Sequence, residues 1–68
     1  MKILAERIKE LRTERGLSQR ALAKKLDVSK SIISYWESDK VAITDVNIVK
    51  LADFFGVSCD YLLGRTEY

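Results

Sequence analysis

The sequence predicts an all-α fold of five short helices, and three observations carry that prediction. Apolar residues recur at three- and four-residue spacing along most of the chain, with no strand-like alternation. No proline interrupts them, and Gly16, Gly56 and Gly64 each stand just after an apolar run, where a helix C-cap falls. Serine, threonine or aspartate precedes most runs, so that a side-chain oxygen can accept an N–H group that a helix start leaves unpaired.

The first helix is expected over about Lys2 to Arg15, with Leu4, Ile8 and Leu11 inward, Ile3 and Ala5 beside them, and Gly16 ending it. A second begins at the cap Ser18, carries Ala21, Leu22 and Leu26 inward, and breaks at Asp27. A third takes Ser29 as its cap and runs to about Ser38. A looser linker, Asp39 to Ile43, leads to a fourth helix capped by Thr44 or Asp45 and carrying Val46, Val49, Leu51, Ala52 and Phe55 before Gly56. The fifth, capped by Ser58, holds Tyr61, Leu62 and Leu63 and stops at Gly64. Residues 1–64 are thus read as one domain, and residues 65–68, which lack periodicity, as a frayed tail.

A chain of 68 residues buries only about 60% of its unfolded surface, which leaves little room for an enclosed catalytic cavity. There is no histidine and only Cys59 as a thiol, so one chain can assemble neither a disulfide nor a zinc site of His and Cys ligands. Ser18, Ser29 and Ser58 have no histidine to activate them and suit capping better than nucleophilic catalysis. No metal, cofactor or small-molecule ligand is expected, and Cys59 reads as a half-buried structural thiol. No segment has the ~18 consecutive apolar residues of a membrane span, and the charged opening residues do not read as a signal peptide, so a cytoplasmic protein is expected.

Charge is unevenly spread. Through residue 40 there are ten bases against six acids, a net of +4; beyond it two bases face four acids, a net of −2. The positive half has the sign expected of a phosphate-binding face, although an imbalance this small also suits ordinary solvated helices.

That half contains the stretch from Gln19 to Glu37, two helices joined too tightly to lie parallel. At about 100° per residue, Ile32, Ile33 and Trp36 share one arc of the third helix, suited to packing on Leu22, Leu26 and Val28. Lys30, Ser31, Ser34, Tyr35 and Ser38 share the other. Serine is a poor helix former, so a merely solvated face is better served by long charged side chains. Short serines flanked by Lys30 and Tyr35 instead permit close approach, which marks a contact surface.

Several motifs stand in order: Ile8-x-x-Leu11-Arg12, Gly16-Leu17-Ser18-Gln19-x-x-Leu22-Ala23, Val28-Ser29, Ile33-Ser34-x-Trp36-Glu37, Leu51-Ala52-x-x-Phe55-Gly56-Val57-Ser58 and Asp60-Tyr61-Leu62-Leu63-Gly64. On these, from about Leu4 to Leu63, the sequence resembles the Cro-type, phage-repressor-like helix-turn-helix transcriptional regulators of bacteria and phages (XRE-like). The resemblance implies a five-helix lambda-repressor-like DNA-binding domain with its helix-turn-helix at helices two and three. It implies base-edge contact from Lys30, Ser31, Ser34 and Tyr35. Backbone contact is implied for Gln19, supported by Ser18 and Ser29, and for Ser38, Lys40 and Thr44. It also implies an ion pair between Arg12 and Glu37. Two departures stand out: Asp27 occupies the turn position where glycine is usual, and a positive φ is expected there; the linker Lys40-Val41-Ala42-Ile43-Thr44 lacks the usual proline and is poor in bases.

The function so implied is sequence-specific recognition of double-stranded DNA by a homodimer on a palindromic operator, most simply as a repressor, with no reaction catalysed. The alternative is a protein-interaction module of the same fold, of antitoxin or antirepressor type, using Phe54, Val57, Cys59 and Tyr61 as an apolar surface; Phe54 and Tyr61 suit core and interface equally well.

Overall fold

In the computed structural model, which describes residues 1–67, each expected run is a helix: α1 Lys2–Glu14, α2 Gln19–Leu26, α3 Lys30–Glu37, α4 Asp45–Phe55 and α5 Cys59–Leu62. No strand occurs among the described residues. Four helices begin alike: Ser18, Ser29, Thr44 and Ser58 accept the backbone N–H of Ala21, Ile32, Asn47 and Tyr61. Each such cap contributes about 1 kcal/mol. Thr44 is thus the cap of α4, and Asp45 Oδ1 takes the N–H of Val46 at 2.8 Å.

The helix ends share a second device. Gly16, Asp27, Asp39, Gly56 and Gly64 all have positive φ, and the residue after each donates its N–H back to a carbonyl near the helix end: Leu17 to Arg12, Val28 to Ala23, Lys40 to Tyr35, Val57 to Ala52 and Arg65 to Asp60. Asp27, at φ 58° and ψ 46°, has the left-handed conformation expected of the turn. Asp39, at φ 59°, turns the end of α3 in the same way inside what the sequence showed only as a loose linker. The Arg65 bond to Asp60, 2.8 Å, ties the first residue of the tail to α5; Tyr68 lies outside the described residues.

The core is built at one point from every helix. Ile8, Leu22, Ile33, Leu51 and Leu62, one from each, have no exposed surface, and burying a side chain of this kind contributes about 1.5–3 kcal/mol. Trp36, Phe55, Leu4, Leu11, Leu26, Ala23 and Ala52 complete the cluster, with Val28 and Ile32 packed at its edge. Cys59 is half-buried, as expected.

On α4 the structure corrects the expected inward face. Leu51, Ala52 and Phe55 are buried, but Val46 is 66% and Val49 49% exposed, and Ile48 takes the inward place. The α4 sequence holds two overlapping apolar patterns. Ile48, Leu51, Ala52 and Phe55 fit the i, i+3, i+4, i+7 template on one stripe, whereas Val46 and Val49 lie about 100° or more from its centre. The longer stripe faces the core.

Bases at the end of α1 and on α4 fasten the helices at their ends. Arg15 donates from Nη1 to Phe54 O at 3.2 Å and from Nη2 to Phe55 O at 2.7 Å, with its guanidinium over both rings. Lys50 Nζ donates to Leu26 O at 2.6 Å. Both put positive charge on the carbonyl end of a helix, where the dipole favours it. Arg7 lies 4.0 Å from the centroid of the Tyr61 ring. Phe54, Val57, Cys59 and Tyr61 are all half-buried against the core, so the apolar surface considered for the fourth and fifth helices is largely covered; the exposed apolar residues of α4 are Val46 and Val49.

Candidate nucleic-acid interface

The Ser29 cap starts α3 immediately after the left-handed turn at Asp27, and α2 and α3 pack directly on each other. Eight residues are too few for a helix to persist alone, so α3 is held by its buried face, Ile33 and Trp36, with Ile32 half-buried beside them. Fixing that face turns the other outward. Lys30, Ser31 and Tyr35 are exposed, Tyr35 by 44%, and Ser34 is half-buried between them. The four residues expected at base edges therefore share one accessible face.

Beneath α3 lies a polar cluster. Arg12 Nε donates to Glu37 Oε2 at 2.6 Å and Nη2 to Oε1 at 3.0 Å, the two-pronged pairing the resemblance implied. Nη1 donates to Leu17 O at 2.8 Å, which holds the loop before α2. Glu37 Oε1 also accepts from Gln19 Nε2 at 3.1 Å. The Arg12 pKa is raised above its ordinary value, first by the hydrogen bond to Glu37 and then by its charge, against the opposing effect of burial. One carboxylate thus links α1, α2 and α3, and Arg12 neutralises its charge.

Glu37 also restricts what Gln19 can do. A primary amide has two N–H donors, and with one committed to Glu37 the other is left for an acceptor such as a phosphate oxygen. The backbone N–H of Gln19, at the first position of α2, needs no partner within the helix. The hydroxyls differ among themselves. Ser18, Ser29 and Thr44 accept with their oxygens as caps, which leaves each O–H hydrogen able to donate. Ser38 instead donates its own hydrogen to Ser34 O at 2.9 Å. A phosphate oxygen only accepts, so Ser38 can reach one only by giving up that bond. Lys40 is exposed just beyond the turn at Asp39.

The positive charge available to a ligand is narrower than the charge count suggested. Arg7, Arg12 and Arg15 are engaged with Tyr61, Glu37 and the end of α4. Arg20, Lys24, Lys25, Lys30 and Lys40 remain exposed on and around α2 and α3. Arg20, Lys24 and Lys25 did not figure among the expected contacts; their signal was there in a second helix with three bases and no acid.

Two tightly joined helices, the second locked by its apolar side and free on its polar side, define a helix-turn-helix of the phage-repressor type. The model of the family described as Helix-turn-helix matches residues 8–62, and the chain belongs to that family of transcriptional regulators. It is similar to the HTH-type transcriptional regulator ImmR of Bacillus subtilis (strain 168), 36% identical over 64 residues, which cover 94% of this chain and 50% of that protein. The chain thus spans half the length of that relative. Among solved structures it is similar to the P22 c2 repressor protein in complex with a synthetic operator in the presence of Tl+, with a TM-score of 0.82 and 32% identity over 91% of this chain and 94% of that one. It is also similar to the S. venezulae BldD DNA-binding domain, with a TM-score of 0.77 and 28% identity over 90% of this chain and 91% of that one. These relatives are regulators and DNA-binding domains, a class that is not enzymatic. No helix of the described residues is long and apolar enough to cross a membrane.

Proposed function

We propose that the chain is a sequence-specific double-stranded-DNA-binding domain of a cytoplasmic transcriptional repressor, working as a homodimer on a palindromic operator. The observation that carries this reading is the outward face of α3: Lys30, Ser31, Ser34 and Tyr35 on a helix whose other side is locked into the core. In the proposed complex α3 enters the major groove, and two recognition helices lie about 34 Å apart in successive grooves. Lys30 reads guanine O6 and N7, the serines allow close approach with little discrimination, and Tyr35 and operator shape supply the rest. Ser18, Gln19, Ser29, Lys40 and Thr44 hold phosphates, with Ser38 joining only if its hydroxyl turns away from Ser34 O. The Arg12–Glu37 pair positions the Gln19 amide. The operator bound by the P22 c2 repressor supports the choice of ligand.

Selection from a randomised duplex library, followed by binding measurements across a salt series, tests the reading. Affinity should fall by about 0.9 log unit per phosphate contact per log unit of salt. Lys30→Ala should relax base preference at one position per half-site, and Gln19→Ala should weaken all sequences alike. Equal loss on every operator variant for Lys30→Ala would contradict the assignment of Lys30 to a base.

A further inference from the structure

The two valines that α4 turns away from the core stand in a patterned setting. Asp45, Val46, Val49 and Lys50 line a shallow concavity of about 320 Å³ on the outer face of α4. Their spacing is that of positions g, a, d and e of one heptad: two apolar residues three apart, flanked by an acid before and a base after. In a pair of parallel helices related by a two-fold axis, a packs on a, d packs on d, and each g residue faces the e residue five positions further along its partner. Asp45 of each chain then faces Lys50 of the other, twice. In an antiparallel pair the same stripe sets Asp45 against Asp45 and Lys50 against Lys50. The two Asp45–Lys50 pairs thus favour the parallel direction, against the opposing contact of Asp53, one heptad beyond Val46, with its own copy near the far end of α4.

We propose that the outer face of α4 is a self-complementary dimer contact, in which Val46 and Val49 pack on the same residues of a second copy and Asp45 pairs with its Lys50 in parallel register. Both charged groups can take part: Lys50 Nζ has given one of its three hydrogens to Leu26 O, and Asp45 has given one oxygen to the Val46 N–H. The inference rests on the palindromic-operator reading in one respect. The start of α4 follows the loop that carries Lys40 and Thr44, and a parallel pair brings both copies of that loop to the same end of the dimer, as one continuous DNA surface requires. An antiparallel pair sends them to opposite ends. A single heptad buries far less than the 1,200 Å² or so of a stable interface, so the contact is weak between free chains and gains strength where two half-sites hold the copies together.

Disulfide trapping without DNA tests the contact apart from DNA binding. In a Cys59→Ser background, Val46→Cys and Val49→Cys are oxidised singly, with Glu10→Cys, exposed on α1, as the reference. Facing seam positions come within the roughly 4.4–6.8 Å between Cα atoms that a disulfide spans. Each α4 variant should form covalent dimer at least about tenfold faster than the reference. Adding Asp45→Lys or Lys50→Asp to Val46→Cys should slow trapping in each protein alone, and an equimolar mixture of the two should restore it, because acid then again faces base. Trapping no faster than the reference overturns the proposal. So does preferential joining of Val46→Cys to Val49→Cys in a mixture, the antiparallel result. If trapping fails while library selection still yields a palindrome, the α4 contact alone is wrong; if trapping succeeds and no duplex is selected, the DNA reading is wrong and the contact stands.

Discussion

Arg12→Met removes the base from the most enclosed polar cluster of the fold. Glu37, whose side chain is 4% exposed, would keep only the Gln19 amide, and Leu17 O would lose its partner. Breaking a buried pair from one side costs about 3–5 kcal/mol, because a desolvated charge is left without its counter-ion. At about 0.05–0.15 kcal/mol per residue, a domain of 68 residues has about 3–10 kcal/mol in total. The variant should therefore be largely unfolded or close to it. Arg12→Met/Glu37→Leu, which removes both charges and fills the space with carbon, should recover at least half of the loss. Urea unfolding followed by far-UV circular dichroism and by the fluorescence of Trp36, the single tryptophan and a buried one, measures both variants. A loss below about 1 kcal/mol for Arg12→Met, the scale of a solvated surface pair, would refute the argument. So would a double variant no more stable than the single one.

The sign of the Arg12 shift adds a condition to that experiment. A base whose pKa is raised by folding contributes stability in full below its unfolded pKa and loses it only as pH climbs through the higher folded value. For an arginine that window lies far into alkali. The Arg12 contribution should then be the same at about pH 6 and about pH 9, and any slope of wild-type stability between them must come from other groups.

Two further substitutions test the backbone. Asp27→Gly should be neutral to stabilising by up to about 1 kcal/mol, since it relieves a left-handed aspartate and removes an acid from the C-terminal end of α2, against the extra freedom glycine gives the unfolded chain; a fall in the urea midpoint equivalent to more than about 1 kcal/mol counts against it. Gly64→Ala should cost at least about 1 kcal/mol more than Gly16→Ala, because both have positive φ but only at Gly64 does a Cβ fall 2.9 Å from Ile3 Cγ1, with open space around Gly16; equal losses in the same assay would show that Ile3 yields freely.

The parts of the fold legible in the sequence are those written in short range. Caps at Ser18, Ser29, Thr44 and Ser58 and turns at Gly16, Asp27, Gly56 and Gly64 depend on a residue's own hydrogen-bonding and steric properties, and each falls where the sequence predicts. Asp39 obeys the same chemistry without a glycine to announce it. What is illegible depends on which residues tertiary packing brings near. Nothing in the order of residues tells that Arg15 reaches the end of α4, or that Lys50 reaches the end of α2. Those meetings decide which bases remain for a ligand, so a charge count along the chain overstates the positive face. The outward position of Val46 and Val49 is hidden for another reason: α4 is apolar on more than one side, and periodicity alone does not choose between two stripes when Ile48 is passed over.

The arrangement separates what must stay fixed from what can vary. Ile33 and Trp36 hold α3 against the core, and Glu37, at its last turn, fastens it to Arg12 and Gln19. Every residue in that set faces inward or toward another helix. The outward set, Lys30, Ser31, Ser34 and Tyr35, carries none of the core, so substitution there changes contacts while costing little stability, within about 0.5 kcal/mol for an ordinary surface position. Ser29 and Gln19 stand between the sets, since a hydroxyl that caps α3 and an amide held by Glu37 each retain a donor for an external acceptor. On the proposed reading, a change at either position therefore acts on stability and on binding together, whereas a change at Lys30 acts on binding alone. Measuring both quantities on the same variants separates the scaffold of this domain from its reading surface.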